Sequence, residues 1–175
     1  MVVRNLLAFL ALTGILGAQE ASGGASPVWD VKTMCAEVAA QVKRLEPLLG
    51  QVNPGTWATG GDAYGPQVQS LKKEAGYIGQ NLGELAVKPD SMTKTLEAFL
   101  RLRALDSMTL SLIEGVRRHQ NPAVADLLQG VLNEVGPYAQ ALQEYLVELV
   151  ALKESELRLL DAEAQKCRAS LIRGK

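Results

Sequence analysis

Few side chains in this sequence could do chemistry. The only histidine, His119, lies in Arg117-Arg118-His119-Gln120-Asn121. It is therefore the only imidazole available as a general base for a serine or cysteine nucleophile. Its place at the end of a predicted helix is the setting in which a basic residue meets the negative pole of the helix dipole. Covalent haem attachment needs C-x-x-C-H, which is absent. Met34, Met92 and Met108, which could face His119 as axial ligands, read as core residues instead. Carboxylate-bridged metal pairs need Glu-x-x-His on facing helices, and the sequence has none. Gly60-Gly61 is followed by Asp62, with neither Lys-Ser/Thr nor a preceding strand, so no phosphate cradle is predicted. Glu144 and Glu148, one helical turn apart, read as a solvated face. No catalytic residue, metal or cofactor is nominated, and enzymatic activity is not expected.

Two cysteines, Cys35 and Cys167, have no second Cys or His at ligand spacing. In an exported chain an even count points to a disulfide. Closing a loop of about 130 residues would stabilise the fold by roughly 5 kcal/mol on the chain-entropy picture. Arg103 and Asp106 are three apart on a predicted helix and can pair, either at the surface or as a buried, structure-specifying pair. Trp57 and Tyr64 stand in GQVNPGTWATGGDAYGP, residues 50–66, the one long stretch without helical pattern. They are the candidate contacts for a ligand or partner. The competing reading for Trp57 is a plug folded over the end of the bundle.

The elements that must position these residues are helical throughout. Asp30 caps a first helix, with Trp29 and Met34 as a hydrophobic staple. Val31, Met34, Cys35, Val38, Val42 and Leu45 share a face, and Pro47 should end or bend the helix. Pro66 is suited to the first turn of a second helix, with Tyr64, Val68, Leu71, Ala75, Ile78, Leu82 and Leu85 stepping by four and three. Gly76, Gly79 and Gly83 lie off that stripe and suggest close approach of a neighbouring backbone, or else a groove. Pro89-Asp90 opens a third helix reaching about Arg118. It shows Met92, Leu96, Phe99 and Leu100 on one face and Leu105, Met108, Leu112 and Val116 on another. Asn121-Pro122 opens the last element, and Gly136-Pro137 either kinks it or divides it. Its later stripe is Leu142, Tyr145, Leu149, Leu152, Leu160, Ala164, Cys167 and Leu171. The expected fold is all-α: an uneven up-down bundle of four long elements, bent at Gly136-Pro137 and closed by Cys35–Cys167.

The N-terminus reads as a Sec-type secretory signal. Arg4 precedes an apolar run from Leu6 to Leu16, followed by small residues. Cleavage is expected after Ala18, alternatively after Ala25. The run is too short to span a bilayer. The expected organisation is a signal at 1–18, a flexible segment at 19–29, and one helical domain at 30–171 with a glycine-rich loop at 50–65. Export places the protein in the periplasm or outside the cell. The net charge of −1 comes from interspersed signs with no basic stripe, which argues against nucleic acid and against a polybasic membrane helix. What remains is a structural or protein-interaction module with a protein or envelope partner. The alternative is a small-ligand binder with its site under the Trp57 loop or between helices.

Overall fold

A computed structural model describes residues 30–173. The expected signal peptide, its expected cleavage site and the expected Trp29 staple lie outside the described residues. Helix α1, Val31–Lys43, starts at Asp30, whose Oδ1 accepts from the Thr33 backbone N–H at 2.9 Å and whose Oδ2 accepts from the Thr33 hydroxyl at 2.6 Å. These bonds hold the Asp30 carboxyl below its ordinary pKa. Helix α2, Leu45–Gln51, continues from α1 after a break at Arg44. The cause is Pro47: its ring would strike the carbonyl four residues back, so the helix yields one turn ahead of it. A single 3-10 turn at Pro54–Thr56 then leads through Gly60, the one described residue with positive φ (76°).

Helix α3, Gly61–Val87, begins one and a half turns earlier than Pro66 suggests. Pro66 is inside the helix and forfeits one bond, while Tyr64, in the first turn, packs inward against the bundle. Helix α4, Met92–His119, is capped by Ser91. Its buried residues run Thr95, Ala98, Leu102, Leu105, Thr109 and Leu112, stepping by three and four on one face. Of the first face expected, Met92, Leu96 and Leu100 are exposed and only Phe99 packs partly against the core; of the second, Leu105, Leu112 and Val116 are buried and Met108 partly so. Thr95, Ala98 and Thr109 share the inward face with leucines, and the Thr95 and Thr109 hydroxyls donate to the carbonyls of Ser91 (3.0 Å) and Leu105 (2.7 Å), which makes their burial tolerable.

Helix α5, Pro122–Arg173, is one helix of 52 residues. It runs unbroken through Pro137, whose cost of about 3 kcal/mol in a helix interior is offset by continuous burial on one face, from Val131, Leu132 and Val135 to Ala139 and Leu142.

Taking α1 and α2 as one bent element, four long elements form a ring. The α1 helix packs on α3 and α5, α4 packs on α3 and α5, and among the described residues no Cα atoms of the diagonal pairs come within 8 Å of each other. Short connections make neighbours antiparallel. Accordingly Arg44, at the break after α1, pairs with Glu134 of α5, and the Tyr138 hydroxyl donates to Glu37 at 3.2 Å. No strand occurs among the described residues. The core is aliphatic, with Leu45, Leu71, Ile78, Leu85, Leu105, Leu112, Leu128 and Leu142 fully buried.

The disulfide does not form: Cys35 is buried and Cys167 is exposed, both as free thiols. The topology does bring the start of α1 and the later part of α5 to the same end, as the up-down reading required. What differs is that α5 does not stop there but continues as helix to Arg173. Tyr145 is the α5 residue that senses Cys35, and from Tyr145 to Cys167 a straight helix travels about 33 Å, whereas a disulfide needs Cα atoms within about 7 Å.

Candidate functional site

Three places in the bundle gather functional groups. The first is the end where α2, the 50–60 loop and the C-terminus of α4 meet. Trp57 is buried there, with 8% exposure, leaning on Tyr64 (ring centroids 5.0 Å apart) and stacked on His119 (5.4 Å). Its indole N–H donates to the Gln120 side-chain oxygen at 3.3 Å. The same oxygen accepts from the Asn53 backbone N–H at 3.0 Å, and the Gln120 amide donates to the Gln51 carbonyl at 2.9 Å. One glutamine at the end of α4 thus ties down both sides of the loop. Gly115 forms the floor: a Cβ there would come within 2.6 Å of the Tyr64 ring and 3.1 Å of Trp57. The arrangement is an aromatic plug whose indole N–H is satisfied by Gln120. His119 stacks on Trp57 with one face and is otherwise exposed, and Cys35 lies at the opposite end.

The second place is a groove of about 630 Å³ between α1–α2 and α3. Ala39, Ala75, Gly76 and Gly79, with Leu49, form an apolar wall, and Lys43, Glu46 and Lys72 also line the groove. At Gly76, Gly79 and Gly83 nothing lies within 4 Å of where a Cβ would be. The close backbone approach expected at these glycines is therefore absent, and they open space instead.

The third place is the end of α5. Leu149 is the last buried residue of the helix, and residues 154–173 are all exposed. Leu157, Leu160 and Leu171 are 65%, 60% and 74% exposed, in line with the free Cys167. The stripe read from the sequence is real, but beyond Leu149 it has no partner within the bundle.

Arg103 and Asp106 approach to 4.0 Å at the surface, with the arginine side chain 62% exposed, so the buried version of this pair is not what forms. Glu144 accepts from Gln140 on the surface of α5. Of the three methionines, Met34 and Met108 pack partly against the core and Met92 is exposed. The sequence reading missed a polar seam between α3 and α4: Glu74 with Arg101 (2.9 Å), Asn81 with Glu97 (3.0 Å) and Glu84 with Lys94, with Arg101 also over the Tyr77 ring. Its only sequence signal is polar residues repeating by three and four beside the apolar stripes.

No group of His, Cys, Asp and Glu able to hold a metal ion occurs among the described residues, and no described helix is long and apolar enough to cross a membrane. Comparison with protein-family models, curated proteins and solved structures returns no match, so function is read from geometry alone.

Proposed function

We propose that this chain is an exported structural or protein-interaction module. Its bundle serves as a rigid base, and its docking element is the C-terminal part of α5. The observation that carries this reading is the run of exposed residues 154–173, which continues a core stripe past the end of the bundle. A solvated helix needs no leucines at core spacing, and large apolar side chains aligned on an exposed face mark an interaction surface. Truncation after Ala151 tests it. The shortened chain should unfold with an unchanged midpoint and lose the partners that the full chain captures from the cell envelope. Equal capture by both chains would contradict it. Export is tested separately: recovered protein should begin at Gln19 or Ser26.

A second reading rests on the groove between α1–α2 and α3. Its apolar wall and the lysines that line it suit a small apolar ligand carrying a negative group. Gly79→Leu would fill it, so ligand uptake that survives this substitution would remove the reading.

A further inference from the structure

We infer that the surface presented by residues 157–173 is built to receive a second copy of itself, antiparallel, across a two-fold axis. This rests on the reading of α5 as a docking element and names its partner. Leu157, Leu160, Ala164, Cys167 and Leu171 are spaced three, four, three and four, which is the a/d seam of a two-helix coiled coil. All five are exposed. The seam has small residues at its centre and leucines toward its ends, so two such helices can approach closely at Ala164 and Cys167.

The charges choose the partner and the direction. Residues 154–163 carry Glu154, Glu156, Asp161 and Glu163 against Arg158 alone, a net charge of −3; residues 164–173 carry Lys166, Arg168 and Arg173 with no acidic residue, a net charge of +3. Inside the chain Lys153 pairs with Glu156 and Arg158 with Glu154. Among the described residues Asp161, Glu163, Lys166, Arg168 and Arg173 enter no ion pair. A helix that is acidic in one half and basic in the other is complementary to itself when reversed, which is the requirement of an isologous interface. Antiparallel pairing about a centre between Ala164 and Cys167 packs Leu160 against the second copy's Leu171 and Ala164 against its Cys167. It also brings Asp161 beside the second copy's Arg168, and by symmetry twice. Parallel pairing instead faces Glu156 with the second copy's Asp161, like against like, which offsets its one attractive contact, Glu163 with Arg168, whereas the antiparallel contacts only attract. The bundles then lie at opposite ends of the joined helices and do not collide.

Sedimentation of the full-length chain across a concentration series tests this, since every residue to be changed is exposed and leaves the bundle intact. The chain should pass from monomer to a species of twice the mass, and Leu160→Glu should abolish the change. Asp161→Arg should weaken association by about tenfold, because two attractive contacts become repulsive, and adding Arg168→Asp should restore it. Under parallel pairing Asp161→Arg would strengthen association instead, by relieving Glu156. A monomer at all concentrations, a dimer indifferent to Leu160→Glu, or a dimer strengthened by Asp161→Arg would each overturn the inference. If the chain stays monomeric while truncation after Ala151 still loses envelope partners, self-pairing alone has failed. If truncation loses nothing, the docking role has failed with it.

Discussion

Adding one methyl group at two glycines should move stability in opposite directions. In a helix, Ala is favoured over Gly by about 1 kcal/mol. At Gly79 nothing lies within 4 Å of the new Cβ, so Gly79→Ala should stabilise the bundle by about that amount. At Gly115 the Cβ would stand 2.6 and 2.7 Å from two Tyr64 ring atoms and 3.1 Å from Trp57. Carbon atoms rest at about 3.5–4.0 Å, so the Tyr64 ring must retreat by roughly 1 Å. Behind it Trp57 is held by His119 and by its bond to Gln120. Overpacking of this kind costs about 1–3 kcal/mol and outweighs the helical gain, which leaves Gly115→Ala destabilising by about 1 kcal/mol. Urea unfolding followed by circular dichroism should separate the two variants by about 2 kcal/mol, with the slope unchanged. In a Tyr64→Ala background the Gly115→Ala penalty should vanish. If Gly115→Ala proved as stable as Gly79→Ala, the plug would not be packed as described.

Replacing Gln120 with Leu strands the Trp57 indole N–H and two loop backbone groups, and should cost about 1–3 kcal/mol, with a red-shifted tryptophan emission. In native protein one thiol, Cys167, should react promptly with a disulfide reagent, and Cys35 only after denaturation; reductant should leave the melting curve unchanged. Burial raises the Cys35 thiol from 9.0 to about 11. The folded chain therefore keeps a proton that the unfolded chain releases, and the resulting stability is full below pH 9 and is lost as pH climbs toward 11. Between those values a Cys35→Ala variant should lose stability less steeply than the parent. Arg103→Ala should change stability by less than about 1 kcal/mol, since its pair with Asp106 is exposed.

The legible parts of this fold were those written in residue size and spacing. The stripe from Val68 to Leu85 lies where periodicity put it, and the ring of four antiparallel elements follows from short connections at 88–91 and 120–121. The misread parts share a physical cause: each depended on a neighbour that the sequence does not identify. In the first turns of α4 the large residues Met92, Leu96 and Leu100 suggested an inner face that Thr95 and Ala98 occupy instead, whereas Phe99 and the later Leu105, Leu112 and Val116 do pack inward. Pro137 left open one helix or two, and burial on both sides of it makes α5 one continuous element. That continuity removed the disulfide, since the helix carries the exposed Cys167 past the bundle and away from buried Cys35. The role of Gln120 was invisible because its contacts lie on the loop nearly 70 positions earlier in the chain. The α5 stripe was legible to Leu171, whereas the absence of any covering helix after Leu149 appears only in three dimensions.

The central claim, that the end of α5 stands clear of the bundle, is tested most directly by one distance. Spin labels on the native Cys167 and on a cysteine replacing exposed Lys32, near the start of α1, report it in a sample diluted with unlabelled chain; buried Cys35 stays unmodified. A straight α5 places the two labels about 30 Å apart, from a rise of 1.5 Å per residue. A separation below about 15 Å, which would need α5 to fold back toward α1 with Cα atoms approaching bonding range, would contradict the account.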